Sequence, residues 1–229
     1  MKYKVALLLA FGLNHLFGAN LLFNGDFESP VIGNGSLSIQ PTGSAGITNW
    51  IVTGAACNAN CVLILDTNYT EPSNVGTIDF NSHGGLQSLD ITGGGNTTDG
   101  GVQQTVNLNI ASNYTLSFWV GNMDDRASSY ASAGSLRLFL NGADQGSFTN
   151  TLSTNNANNW AQFTLNFTAT QVSNTIQFVN NNNPADNFAG LDDVFLDEVG
   201  GGVPEPATFG LMALALGGIE LGRRRLAAK

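Results

Sequence analysis

The stretch AQFTLNFTA, residues 161–169, alternates apolar and polar side chains. Phe163, Leu165 and Phe167 share one parity, and Gln162, Thr164, Asn166 and Thr168 the other. Successive side chains of a strand point to opposite faces, so this pattern makes one dry face and one wet face. Related short runs occur at GLQSLDI (85–91), GVQQTVNL (101–108), YTLSFWVG (114–121), SLRLFLN (135–141), NTIQFVN (174–180) and LDDVFLDEV (191–199). They are rich in β-branched and aromatic residues and are separated by Gly, Asn and Asp clusters. NGADQG (141–146) between two of them reads as a hairpin turn. Helical periodicity is missing from Asn20 to Val199. The expectation is an all-β fold, a single antiparallel β-sandwich. The first hundred residues offer fewer strand signals and read as loopier.

The 229 residues carry a formal net charge of −9, with only 11% charged residues. The cations are concentrated at the ends: Lys2 and Lys4 at one, Arg223, Arg224, Arg225 and Lys229 at the other. Between Asn20 and Val203 only Arg126 and Arg137 face fifteen carboxylates, a net charge of −13. Such a body repels nucleic acid and anionic lipid and suits cations or neutral polar ligands. Cys57 and Cys61, in CNANC, read as a short-range disulfide of an exported protein. The spacing excludes a redox C-x-x-C, and no second cysteine pair completes a zinc site.

Residues 1–19 read as a signal peptide. Lys2 and Lys4 precede the apolar stretch Val5–Leu13, and the small Gly18 and Ala19 flank a cleavage point, although Phe17 is an imperfect −3 residue. An uncleaved anchor is the alternative. At the other end, VGGGVP (199–204) is a flexible spacer, and residues 200–206 comprise the Gly-rich spacer and Pro-Glu-Pro. An apolar segment follows over 207–222 and a basic tail over 223–229. As a helix, Ala207–Leu221 would span roughly 22 Å, short of a hydrocarbon core of ~30 Å. The arginines behind it supply a positive-inside stop and can snorkel to the headgroups.

The ordered set VPEPA (203–207), apolar run and arginine cluster resembles the PEP-CTERM sorting signal of Gram-negative bacteria. That resemblance implies that Pro204, Glu205 and Pro206, with Arg223, Arg224 and Arg225, form a sorting motif. It implies an exosortase partner that processes the tail. The protein would then cross the inner membrane, be held transiently by its C-terminal helix, and reach the cell surface or extracellular matrix.

The body carries LLFNGDFESP, ITNWIV, LSFWVGN, NNWAQFTLNFTAT and GLDDVFL in that order. This resembles galactose-binding-like jelly rolls, such as carbohydrate-binding modules with an N-G-x-F-E motif, and the choice-of-anchor domains. The resemblance implies a jelly-roll sandwich that binds glycan, and a structural calcium where the first and last strands meet. The matching calcium ligands would be Glu28 with one of Asp192 and Asp193. Strand alternation puts those two aspartates on opposite faces, so one alone would join a given site.

Catalysis has little to build on. His83 is the one histidine of the mature region, there is no G-x-S-x-G elbow, and the Gly-rich GGGNTTDGG (93–101) lacks the Lys-Ser/Thr of a phosphate loop. A polar ligand face is expected from Tyr69, His83, Asp124, Arg126 and Tyr130, because sugars stack on aromatic rings and bond to polar side chains. Trp50, Trp119 and Trp160 sit in or beside strand runs and read as core. The expectation is a non-enzymatic exported protein that binds extracellular polysaccharide, with no cofactor beyond the structural calcium and no nucleic acid partner. A small secreted hydrolase acting on surface glycans is the alternative, and a ligand-free matrix protein a third reading.

Overall fold

The computed structural model describes residues 18–55, 60–73, 76–94, 99–123, 130, 133–152, 157–182 and 188–200. The signal-peptide reading up to residue 17 and the sorting motif, apolar segment and basic tail from 201 onward lie outside the described residues. So do Cys57, Asp124 and Arg126. Cys61 is disulfide-bonded. Among the described residues there is no helix, and none therefore long and apolar enough to cross a membrane.

Asn20–Val199 forms one compact unit. Its strands are β1 (Leu37–Gln40), β2 (Ile51–Thr53), β3 (Val62–Asp66), β4 (Thr70–Ser73), β5 (Gly76–Asp79), β6 (Gln87–Asp90), β7 (Gly101–Asn107), β8 (Asn113–Met123), β9 (Gly134–Leu140), β10 (Ala143–Asn150), β11 (Asn158–Thr168), β12 (Ser173–Asn180) and β13 (Gly190–Glu198). One six-stranded sheet runs β1-β3-β6-β13-β8-β11, one five-stranded sheet runs β10-β9-β12-β7-β2, and β4 pairs with β5 in a separate hairpin. Every pairing between these strands is antiparallel. The expected antiparallel β-sandwich is what the chain forms.

The alternation of residues 161–169 does what it promised. Phe163, Leu165 and Phe167 lie opposite Phe118, Leu116 and Tyr114 on β8, and this parity packs into the core. Phe118 is the centre of an aromatic cluster that joins the sheets, with ring centroids 4.8 Å from Phe178 of β12 and 5.1 Å from Phe148 of β10. The edge-on geometry of both pairs adds to the area they bury. The hairpin turn is tighter than NGADQG suggests. β9 ends at Leu140 and β10 begins at Ala143, so only Asn141 and Gly142 turn, both with positive φ. That is the two-residue solution matching the strand twist. Ala143 and Asp144 enter the ladder, and the register shifts between Asp144 and Ser147.

The first hundred residues are less loopy than their sequence suggests. β3 (VLILD) is buried along its whole length. Val62 and Ile64 join the core between the sheets, while Leu63 and Leu65 belong to a second cluster on the outer face. A strand covered on both faces shows no alternation. That second cluster places the candidate site.

Candidate functional site

The outer face of the six-stranded sheet is not left to solvent. Residues 80–86, which follow the β4–β5 hairpin, cross it as a strap. Each contact of the strap has a sequence-level cause. Trp160 lies opposite Gly121 in the β8–β11 register, and Gly121 in turn faces Gly190 of β13. A Cβ on Gly121 or Gly190 would come within 2.9 Å or 2.8 Å of the Trp160 ring. The two glycines therefore let the indole lie across the sheet. Its Nε1 donates to the Asn81 carbonyl at 3.1 Å, which also accepts from the Asn158 amide at 3.1 Å.

His83 stacks on Trp119 with centroids 3.7 Å apart, and its Nδ1 sits 2.6 Å from Asp193 Oδ2. Asp192 Oδ2 accepts the backbone N–H groups of His83 (2.9 Å) and Gly84 (3.2 Å). Glu28 Oε1 accepts those of Leu86 (2.6 Å) and Gln87 (2.8 Å). The strap passes between the carboxylates because Gly84 and Gly85 have no side chains. A Cβ on Gly85, whose φ is +56°, would lie 2.2 Å from Glu28 Oε1. Burial, with the neighbouring Asp193 charge second, pushes the Asp192 carboxyl up to about 8.

This geometry corrects one expectation. Asp192 and Asp193 do not serve opposite faces: the register shifts between Asp192 and Phe195, Asp193 takes a positive φ of 44°, and both carboxylates reach the same loop. A β-bulge of this kind re-aims side chains against the simple alternation. Glu28 Oε1, Asp192 Oδ2 and Asp193 Oδ2 already have partners in the strap, and the calcium expected from Glu28 with one of the two aspartates would share these carboxylates with it. Among the described residues no group of three or more His, Cys, Asp and Glu side chains is arranged to hold a metal ion.

The tryptophan reading holds for one of three. Trp50 is fully buried against Phe27 (centroids 5.4 Å). Trp119 and Trp160 are half-buried on the outer face. Their strand positions carried the signal: Trp119 has the parity opposite to Leu116, Phe118 and Val120.

The strap's other end forms a pocket of about 200 Å³, lined by Leu63, Leu65, Tyr69, Glu71, Phe80, Asp90, Gly93, Gly94 and Tyr130. Phe80, buried against Phe188 (5.5 Å), has the Tyr69 and Tyr130 rings 5.5 Å and 5.9 Å away. Both phenols donate to one carboxylate: Tyr69 to Glu71 Oε1 at 2.6 Å and Tyr130 to Glu71 Oε2 at 2.7 Å. Burial first and Glu71 second raise both phenols above their ordinary range, so they remain donors. Asp90 is buried, and its Oδ1 accepts from Thr92 N–H (2.9 Å), Thr92 Oγ1 (2.6 Å) and Ala189 N–H (3.4 Å). Desolvation outweighs those bonds and lifts its carboxyl to about 7.

Of the five expected ligand residues, the fold thus brings Tyr69 and Tyr130 together and places His83 elsewhere on the strap. Glu71, Phe80 and Asp90 are pocket residues that sequence reasoning missed. A second, shallower groove of about 410 Å³ lies at the far end of β8 and β11. Its polar side chains already pair with each other, Thr115 with Asn166 (2.8 Å) and Thr168 with Asn113 (2.7 Å).

A family model described as a carbohydrate binding domain matches residues 19–186, nearly the whole sandwich. The chain belongs to this family. No curated protein matches it in sequence. Among solved structures, the chain is similar to the C-terminal domain of EclA, a sugar-binding protein, at 16% identity and a TM-score of 0.34, over 42% of this chain and 64% of that one. It is similar to an arabinose-bound α-L-arabinofuranosidase, MgGH51, at 15% identity and a TM-score of 0.44, over 80% of this chain but only 27% of that enzyme. It is also similar to TmCBM61 in complex with β-1,4-galactotriose, at 16% identity and a TM-score of 0.42, over 80% of this chain and all of that one.

Proposed function

We propose that this protein is an exported, non-catalytic glycan-binding protein of the cell surface or extracellular matrix, and that the Tyr69–Tyr130 pocket receives the sugar. The observation that carries the reading is the pocket itself in a member of a carbohydrate-binding family. It presents aromatic rings for stacking beside Glu71 and Asp90, which accept hydrogen bonds from ring hydroxyls. The pocket has room for about one sugar ring, so a chain end or side branch suits it better than the middle of a long polymer.

Delivery follows from the two ends of the sequence. The signal peptide exports the chain, and an exosortase recognises Pro204, Glu205 and Pro206 while the apolar segment holds the protein in the inner membrane. Both sets of terminal cations leave with the processed segments.

Binding of the full chain to a glycan array, repeated with Tyr69→Ala and Tyr130→Ala, tests the binding reading. Signals that fall at least tenfold in both variants support it. Signals unchanged in both remove the sugar from this pocket. The mass of the protein recovered from cells tests the sorting reading: a mass retaining residues 207–229 would overturn it.

A further inference from the structure

The pocket is asymmetric in charge. Its two acids come from different elements, Glu71 from β4 and Asp90 from β6, and no Lys, Arg or His is among the described residues that line it. Glu71 is fixed as an acceptor on both oxygens by the two phenols. Asp90 is only 4% exposed, its hydrogen bonds converge on Oδ1, and among the described residues none reaches Oδ2. The two ion pairs among the described residues lie elsewhere, at His83–Asp193 and Arg137–Asp144. A buried acid with an unused oxygen on a pocket wall is a costly arrangement that a ligand cation would relieve.

We propose that this pocket selects an amino sugar, a pyranose whose free protonated amine enters between Glu71 and Asp90. The proposal rests on the glycan-binding reading and names the class of sugar within it. An ammonium group brings donors only, which matches a site whose walls offer acceptors, and its hydrogen bonds to carboxylates are charge-assisted. The rings of Tyr69, Phe80 and Tyr130 provide faces for the same positive charge. A hydroxyl in its place satisfies an oxygen without compensating a charge, and an N-acetyl group carries no charge at all. Burial raises the Asp90 carboxyl, and an ammonium group beside it would offset that cost.

Three trisaccharides with the same β-1,4 backbone and different groups at C2 test the idea: the glucosamine trimer (amine), its fully N-acetylated form (acetamide) and cellotriose (hydroxyl). Calorimetry with the full chain at about pH 6.5 should rank the amine first by about tenfold or more, the scale of a charge-assisted bond. Glu71→Gln, at a half-buried position, should collapse that preference to about one. Asp90→Asn, a shape-conserving change, should reduce it as well, and unfolding curves would establish that both variants fold. Equal affinity for the three sugars would overturn the amine proposal and leave the glycan reading intact. Binding of none of them, in a protein that binds other glycans on an array, would also overturn it. A preference that survives both substitutions would assign it to the general negative charge of the body. In Arg126→Gln the ranking should persist; a ranking that appears only in that variant would mean that Arg126 fills the pocket, and the proposal would fail.

Discussion

Replacing Asp90 by asparagine keeps the shape of a buried side chain and removes its ability to ionise. The amide oxygen can keep the bonds from Thr92 and Ala189, and the NH₂ takes the place of Oδ2. In the folded protein the carboxyl sits at about 7, against an ordinary 3.8. Below about pH 4 it is protonated in both states and pH has no leverage. As pH rises through the window from about 4 to about 7, the unfolded chain gives up its proton while the folded chain keeps it. Unfolding therefore gains about 1.4 kcal/mol per pH unit, and the folded protein loses stability over that window. The full gap of about three pH units is worth about 4 kcal/mol, and the part between pH 5 and pH 8 nearly 3 kcal/mol. Asp192, raised to about 8, acts in the same direction. Comparing variant with wild type at each pH isolates the share of Asp90. Urea unfolding at pH 5 and pH 8 should show the Asp90→Asn advantage growing by about 2–3 kcal/mol at the higher pH. An advantage that is the same at both pH values, or that shrinks as pH rises, would refute the reasoning.

The other expectations are as direct. Gly85→Ala forces a side chain into a left-handed backbone position and against Glu28, and should lower stability by about 1–3 kcal/mol in thermal unfolding. His83→Ala removes the stack on Trp119 and the bond to Asp193; it should cost about 1–2 kcal/mol and speed amide exchange at Gly84 and Leu86. Phe118→Ala empties the ring cluster between the sheets and should cost about 3–5 kcal/mol. If Glu28 and one of Asp192 and Asp193 hold calcium, the melting midpoint should rise in calcium relative to chelator; an unchanged midpoint would sink that expectation.

How much of this was legible in the chain depends on how many faces of a strand are covered. β8 and β11 have one dry face and one mixed face, so Leu116, Phe118, Phe163 and Leu165 declared themselves by parity. β3 has two dry faces, and VLILD carries no period to read. The pocket was half legible: Tyr69 and Tyr130 stood out as aromatics in polar runs, but they lie 61 residues apart and are brought together by Glu71 and Phe80. Nothing local marks Glu71 or Asp90 as different from the other carboxylates, because their distinction is burial. The Asp192–Asp193 pair failed for a different reason, since alternation assumes an unbroken ladder and β13 is interrupted there.

The residues with the most conspicuous chemistry and the residues of the pocket are connected by one short piece of chain. Phe80 forms the aromatic centre of the pocket, the next carbonyl is held by Trp160 and Asn158, and His83 two residues later is fixed between Trp119 and Asp193. Glu28 and Asp192 hold the following backbone N–H groups. Thr67 ties the strap back towards Tyr69, donating its N–H to the Leu86 carbonyl at 2.8 Å and accepting at Oγ1 from Ser82 N–H at 3.2 Å. Aromatic rings placed by loops lose affinity when the loops are free, because ordering them must then be paid on binding. The acid-and-histidine cluster thus orders the strap, and on the proposed glycan-binding reading Phe80 and Tyr69 would meet a sugar as a preformed wall.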